Sequence, residues 1–257
     1  MTNKKEKLAR FGIAAKGAVY ALIGLLTALA AFNLGGSMSG NTNALQFIAS
    51  QPFGRILLAI LGIGLFGYSF YRLYEAIKGS GKKWSEFKGF VKRAGFVVSA
   101  FFYGTLGFTA VKMTLGKSSG SGGDSMVQTI MSKPYGPYLL GFVAICLAGK
   151  SFYQFYKGFT GKYRHDVEEH KLSSKVKKTL LRAGAVGFTA RGIVSGIVAY
   201  LLFKVAITHQ GSASGKVAAF EFLQNSLGAS VMGLVALGLV AYAVFMFVQA
   251  KYADVRF

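Results

Sequence analysis

The sequence predicts an all-α polytopic membrane protein with six transmembrane helices, built as three tandem helical-hairpin repeats in a pseudo-threefold arrangement. Its 257 residues are 53% hydrophobic and only 15% charged, against about 25% charged in an ordinary soluble domain. Six apolar runs each extend to about 20 residues, the length that carries a helix across roughly 30 Å of hydrocarbon. Helices also satisfy their own backbone hydrogen bonds, which lipid cannot do.

An internal repeat supports the hairpin organisation. The stretch QPFGRILLAILGIGLFGYSFYRLYEAIKG returns from Ser132 and, more weakly, from Ser226. Seven residues recur at a constant offset of 82: Pro52, Gly54, Gly67, Ser69, Phe70, Tyr71 and Tyr74 return as Pro134, Gly136, Gly149, Ser151, Phe152, Tyr153 and Tyr156. The third copy keeps Gly228 and Tyr242. We therefore expect one membrane domain over residues 1–257, with repeats at about 8–80, 91–162 and 180–253.

The first apolar run, 17–32, could be read as a cleavable signal peptide, because Ala28 and Ala30 form an A-x-A pattern after several lysines. The repeat argues against that interpretation, since Gly12, Tyr20 and Gly24 return as Gly95, Tyr103 and Gly107. A segment with copies elsewhere in the chain is an element of the fold. The sequence thus predicts a retained first helix.

The linker inside each repeat holds a short apolar patch, at residues 44–48, 126–130 and 217–222. Each patch is too short to span the membrane and too apolar for a free loop, so we expect a short helix at the interface. Pro52 and Pro134 are expected to begin the even-numbered spanning helices, where a missing N–H is tolerated.

Basic residues predict the orientation. Lysine and arginine exceed aspartate and glutamate by 30 to 9, and most of them lie at the ends of the apolar runs, on the side that holds both termini. Positive residues mark the cytoplasmic side. We expect a multi-pass protein of a bacterial plasma membrane with cytoplasmic termini and anionic membrane lipids as partners. Nucleic acid is not expected, because the charge does not lie on a polar surface.

Two stretches, ARFGIAAKGAVYALIG and QPFGRILLAILGIGLFGYSFYRLYEA, resemble the bacterial membrane family catalogued as domain of unknown function 1206. The resemblance covers nearly the whole chain and implies three tandem repeats of two spanning helices. It implies no activity. The chain departs from a strict threefold repeat, with Ser99 and Ala100 where the first copy has Lys16 and Gly17, and with Leu227 where a Phe would precede Gly228.

Small residues are interpreted as helix-packing positions, because they let helices approach closely in lipid. This set comprises Gly17, Gly24, Pro52, Gly54, Gly67, Pro134, Gly136, Gly149 and Gly192. The clusters around Tyr68 and Tyr153 are typical of an interfacial aromatic belt.

Charges inside the spans are the strongest candidates for function, because a charge at mid-bilayer costs at least about 2.5 kcal/mol. They could snorkel to the interface or could line a polar path between the repeats. Superposed repeats align Lys112 with Lys204, and Glu75 with Lys157. The candidate polar-path or partner residues are Lys16, Arg72, Glu75, Lys112, Lys150, Lys157, Arg191 and Lys204.

Arg191 is the most deeply placed of these residues. It either donates to buried carbonyls or a partner side chain, or it faces a wet path that selects anions. The equivalent first-repeat residue is Lys16, close to the cytoplasmic end, where snorkelling is easy. This equivalence favours the structural role.

Other site chemistries have little support. Intramembrane carboxylates are scarce, which disfavours cation-coupled transport. His165 and His170 do not have the spacing of a helical zinc site, and Cys146 has no partner for a disulfide. The motifs GKSSG and GIGLFG lack the strand context that their enzyme functions need. We expect no enzyme, no cofactor and no metal.

Two functions stay open. The first is a non-enzymatic membrane module that binds a partner protein or anionic lipid on its basic cytoplasmic face. The alternative is a channel or carrier for a small or anionic solute, through a polar path between the three repeats.

Overall fold

The computed structural model describes residues 3–78, 87–116, 127, 129–167, 172–209 and 215–252. The first repeat forms α1 (Asn3–Ala31), α2 (Asn41–Ala49) and α3 (Gly54–Lys78). The second forms α4 (Phe87–Thr114) and α5 (Gly136–Thr160), followed by a short 3-10 helix (Lys162–Asp166). The third forms α6 (Ser174–Thr208), α7 (Gly215–Leu227) and α8 (Ala229–Tyr252).

Six of these helices, α1, α3, α4, α5, α6 and α8, are long and apolar enough to cross a membrane. Helices account for the regular structure throughout the described residues, as the composition predicts. The predicted six-helix, all-α class is confirmed. An even number of crossings puts both chain ends on one side, and the Arg10 guanidinium on α1 donates to the carbonyl of Lys251 on α8. We call this side of the bundle the terminal side and the opposite side the loop side.

The spanning helices form a ring of three hairpins. Helix α1 packs against α3 and α8, α3 packs against α4, α5 packs against α6, and α6 packs against α8. The most extensive interfaces are the three that join one repeat to the next, α3/α4, α5/α6 and α8/α1. Contact within a hairpin is extensive in the first and third repeats and at most marginal between α4 and α5. The ring is therefore pseudo-threefold and interrupted in its middle repeat.

Equivalent hydrogen bonds confirm the repeat symmetry at two interfaces. The Ser69 hydroxyl on α3 donates to the Ala100 carbonyl on α4 over 2.6 Å. The Ser151 hydroxyl on α5 donates to the Gly192 carbonyl on α6 over 2.7 Å. The third interface has Ala243 at the serine position and relies on close apolar packing instead.

Glycine determines how closely two of the hairpins pack. A methyl group added at Gly12 would lie 2.4 Å from the backbone nitrogen of Tyr68, and one at Gly187 would lie 2.5 Å from Cα of Tyr242. These are the same contact in the first and third repeats. A methyl group added at the equivalent Gly95 meets no described atom within 4 Å. The middle hairpin therefore lacks the close approach that holds the other two.

Most of the predicted packing positions lie in tight contacts. An added methyl group would fall within about 3 Å of a neighbouring atom at Gly17, Gly24, Gly54, Gly67, Gly136 and Gly192. At Gly149 an added methyl group meets no described atom within 4 Å. Its equivalent Gly67 packs on Leu8 of α1, and the repeat offset aligns Leu8 with Val91, whose side chain is not among those described, so the packing role of Gly149 stays a prediction.

The linkers also match the prediction in two repeats. The apolar patches at 44–48 and 217–222 lie in α2 and α7, and both helices bury their apolar faces at the loop side of the bundle. In the middle repeat, Met126 and Gln128 lie outside the described residues. Pro52 and Pro134 lie in equivalent turns, two residues before α3 and α5 begin.

Alanine substitution of the hairpin glycines should affect stability differently in the third and the middle repeat. We expect Gly187→Ala to lower the free energy of unfolding by about 1–3 kcal/mol, since the methyl group overlaps the Tyr242 backbone. Gly95→Ala should change it by less than about 0.5 kcal/mol. Thermal unfolding in a mild detergent measures both, and equal losses would contradict the interrupted ring.

Candidate functional site

Four tyrosines line the centre of the bundle. Tyr20 and Tyr103 occupy equivalent positions on α1 and α4, and Tyr68 and Tyr242 occupy equivalent positions on α3 and α8. The rings pack edge to face, with centroids 4.9 Å apart for Tyr20 and Tyr242 and 4.8 Å apart for Tyr68 and Tyr103. The interfacial position predicted for Tyr68 is wrong, because only 1% of this residue is exposed.

Lys16 lies among these rings. Its Nζ donates to the Tyr68 hydroxyl over 2.9 Å and lies 4.7 Å from the Tyr68 ring centroid and 5.7 Å from that of Tyr242. The residue is 5% exposed. The snorkelling predicted for Lys16 is therefore wrong, because the close Gly12 contact brings Tyr68 next to it and away from the interface.

Arg191 is equivalent to Lys16 in the third repeat and lies against the same aromatic wall. Its guanidinium carbon is 4.2 Å from the Tyr242 ring centroid and 5.1 Å from that of Tyr20. Within the described residues it donates to no carbonyl and no carboxylate. It is partly exposed, so it borders an accessible space.

Lys216 on α7 joins the same group, although the sequence analysis missed it. Its Nζ lies 4.1 Å from the Tyr20 ring centroid and donates to Asn41 Oδ1 over 2.8 Å. Burial lowers the pKa of Lys216, and the charge of Arg191 lowers it further, against the opposing effect of Tyr20. The available signal was the repeat offset, which aligns Lys216 with Asn41 at the start of the equivalent helix.

Lys150 completes the set from α5. It occupies the position that Tyr68 and Tyr242 hold in the other repeats, where both tyrosine rings lie next to Lys16. Its side chain is exposed. We call Lys16, Lys150, Arg191 and Lys216 the central cluster.

A small cavity lies in the cluster, between basic, polar and apolar side chains. The cavity has a volume of about 20 Å³ and is lined by Tyr20, Arg191, Val194, Ser195, Lys216 and Leu239. One turn beyond Lys150, the amide of Gln154 donates to the Ser195 hydroxyl over 3.0 Å. Its Oε1 is buried and has no hydrogen-bond partner in the described structure. A space of this size holds about one water-sized group.

The described acidic residues lie in ion pairs or at an exposed position rather than in the central cluster. Glu75 pairs with Arg72 over 2.5 Å, as their spacing on one helical face predicts, and Asp166 pairs with Lys157 over 2.7 Å. Arg72 also donates to the Tyr68 hydroxyl over 2.8 Å. These pairs lie toward the terminal side of the cluster. Glu6 pairs with Arg10, and Glu221 is exposed on α7.

Two candidates do not join the site. Lys112 and Lys204 are both exposed, and Lys112 lies over the Phe108 ring of its own helix at 4.9 Å. The candidate histidine loop is described only in part, since His170 lies outside the described residues.

The resulting arrangement carries several positive charges and, in the part of the chain that the structure describes, no carboxylate that faces them. An arginine guanidinium does not lose its proton in a protein. A desolvated cation–π contact contributes about 2 kcal/mol, less than the several kcal/mol that desolvation of one ion costs. The centre of the bundle therefore has the chemistry of an anion-binding site.

Comparisons with known proteins place these repeats in a family without an assigned activity. The family model described as Domain of Unknown Function (DUF1206) matches the chain three times, at residues 11–79, 94–161 and 186–253. The chain is also similar to the uncharacterized protein YxxB of Bacillus subtilis (strain 168), with 26% identity over 252 residues, which cover 96% of this chain and 90% of the relative. No solved structure matches the chain.

Proposed function

We propose that this chain, which belongs to the family described as Domain of Unknown Function (DUF1206), is a non-enzymatic membrane protein that binds an anion at the centre of its bundle and transports it. The observation that carries the proposal is the central cluster. Arg191 and Lys216 border one small cavity and share the Tyr20 ring between them. A bound anion would compensate their charge and accept their hydrogen bonds.

The position of the cluster supports transport over a purely structural role. Arg191 lies in the middle of α6, and Lys150 lies near the middle of α5, so the cluster is close to mid-bilayer. Substrate sites of membrane carriers typically lie near the midplane, between structural repeats. The favoured sequence interpretation of Arg191 required hydrogen bonds to buried carbonyls or a partner side chain, and among the described residues its guanidinium instead lies against the Tyr20 and Tyr242 rings. The alternative, a path for a small anion, fits the geometry better.

The membrane orientation is part of the proposal. The predominance of lysine and arginine on the terminal side supports cytoplasmic termini in a bacterial plasma membrane. Arg93 on this side donates to the Ala76 and Ile77 carbonyls at the end of α3, and basic residues at a helix C-terminus are electrostatically favourable.

Binding of anionic lipid or a partner protein on the basic face stays a second prediction. One observation favours it: Lys175 and Lys178 lie in the exposed first turns of α6, where the helix dipole disfavours cations. An anionic surface would offset that cost. The sequence places further basic residues on this side, in the stretch 82–93 and at Lys171. Most of them lie outside the described residues or have undescribed side chains.

The Arg191→Gln variant tests anion binding. We expect small anions such as nitrate, chloride or acetate, compared with gluconate at equal ionic strength, to raise the thermal midpoint of the wild-type protein. The variant should bind at least about tenfold more weakly, because a charged hydrogen bond contributes about 1.5–3 kcal/mol. Liposome flux of the same anions should fall in parallel.

The matched control is Lys204→Gln, which removes one positive charge from an exposed position of the same helix. It should keep the wild-type response. An Asp124→Asn variant covers the acid that the repeat offset aligns with Asn41 and Lys216. Two results together would contradict the proposal: no anion stabilises the wild-type protein, and the Asp124→Asn variant gains anion binding. They would mean that Asp124 supplies the counter-charge of the cluster.

Anion affinity should depend on pH through Lys216. Because burial lowers the pKa of Lys216, this lysine loses its proton at a pH below the ordinary lysine range. Anion affinity should fall as the pH rises through this lowered range. The free energy of unfolding without anion should rise over the same range, since the unfolded chain then holds a proton that the folded chain does not.

The groups around Lys216 are Tyr20, Asn41, Lys150 and Arg191. The Lys216→Gln variant isolates its contribution and should show a flatter pH dependence of binding, measured by titration at several pH values. An unchanged profile would mean that other groups titrate instead.

Cysteine labelling tests the orientation. In a Cys146→Ala background, Ser37→Cys, exposed on the loop side, should react with an impermeant thiol reagent added to intact cells. Lys175→Cys, exposed at the start of α6, should react only after lysis. The reverse pattern would place the termini outside.

A further inference from the structure

We infer that the space between α4 and α5 is a lateral binding site for a long-chain carboxylate, with the carboxylate at Lys150 and the central cluster and the chain against the apolar faces of both helices. The inference rests on the proposed anion site and names its substrate class. It adds a route of entry from the bilayer.

The opening follows from substitutions in the middle repeat. In the first repeat, Ala15 on α1 meets Gly64 on α3, and a methyl group added at Gly64 would lie 2.5 Å from Ala15 Cβ. In the third, Ala190 meets Gly238 in the same way, at 2.4 Å. The repeat offsets place Val98 and Cys146 at these positions in the middle repeat.

Those two residues are too large for the same close approach, and both are exposed. At Gly95 and Gly149, which would face each other's helices in a closed hairpin, an added methyl group meets no atom within 4 Å among the residues that the structure describes. The separation of α4 and α5 therefore has a cause in the sequence.

Lys150 brings charge into this opening. The two closed hairpins have a tyrosine at its position, with the rings of Tyr68 and Tyr242 buried in the core. Lys150 is exposed and lies one helical turn before Gln154, whose amide donates to the Ser195 hydroxyl in the lining of the central cavity. This face of α5 therefore connects the opening with the central cluster.

The walls of the opening are apolar. In the apolar spans of α4 and α5, 28% and 22% of the residues are buried, against 61% in α1 and 56% in α8. Val98, Phe102 and Val143 are exposed there, whereas their equivalents in the closed first hairpin, Ala15, Val19 and Leu61, are buried.

These features identify the ligand as an amphiphile. A hydrophilic anion does not approach from hydrocarbon, because ion desolvation is too costly. An anion that carries an alkyl chain does, and each buried methylene adds about 0.8 kcal/mol. The cavity of about 20 Å³ beside Arg191 holds about one water-sized group, so its lining must move less for a carboxylate than for a phosphodiester with its glycerol, which favours the carboxylate.

Fluorescence quenching tests the site. Phe102→Trp places a probe at the opening, Phe70→Trp places a matched probe on the exposed face of α3, and Trp84→Phe removes the native indole from both. In phosphatidylcholine nanodiscs, chain-brominated dodecanoate should quench the Phe102→Trp probe saturably. The Phe70→Trp probe should show only the linear quenching of membrane partition.

Two further variants connect the signal to the opening. Lys150→Gln should weaken the saturable quenching at least tenfold. Gly95→Phe should abolish it by filling the opening, while Gly95→Ala keeps it. Binding of acetate, measured as thermal stabilisation, should survive Gly95→Phe, and affinity should rise with chain length from acetate to octanoate to dodecanoate.

The outcomes separate the two proposals. Equal, linear quenching of both probes, or no effect of Lys150→Gln, overturns the lateral site, and intact acetate binding would then leave the central anion site standing. Loss of acetate response in the wild type would overturn the central site itself. Displacement of brominated dodecanoate by phosphatidylglycerol at equal concentration would assign the opening to a lipid phosphate and overturn the carboxylate.

Discussion

The close approach of helix backbones at Gly12 and Gly187 is the constraint on which the centre of this protein depends. In lipid there is no hydrophobic force between helices, so small residues at the contact allow the packing that holds them together. At these contacts the partner residue is a tyrosine, Tyr68 or Tyr242. Its backbone is fixed against the glycine, and its ring is consequently directed to the centre of the bundle.

The tyrosine rings in turn make a basic interior tolerable. Lys16 and Arg191 occupy the same position in two repeats, and each lies over the ring of Tyr242 and a second tyrosine. Ring faces attract cations without neutralising them. The wall therefore keeps the positive charge in place and available, whereas a carboxylate partner such as Glu75, which pairs with Arg72, would remove it. This difference separates the central cluster from the ion pairs at the terminal side.

Sequence reasoning predicts the fold well and the site only in part. Six apolar runs and a constant offset suffice for the helices and their threefold order, because both depend on local periodicity. The depth of Lys16 and Tyr68 could not be predicted, since it depends on how far α3 moves toward α1 at Gly12. Lys216 was missed because a short interfacial helix gives no hint that its first turn reaches the interior.

That asymmetry gives the middle repeat its significance. If all three hairpins closed as the first does, Tyr68 and its equivalents would seal the ring and isolate Lys16. Three substitutions relative to the first repeat, Val98 for Ala15, Cys146 for Gly64 and Lys150 for Tyr68, all act at the one interface that is open. Two add bulk where close packing needs small side chains, and the third places a cation where an isolated charge in hydrocarbon costs at least about 2.5 kcal/mol. The anion that we propose for the central cluster would offset this cost, and on that proposal the loss of symmetry in the middle repeat serves binding.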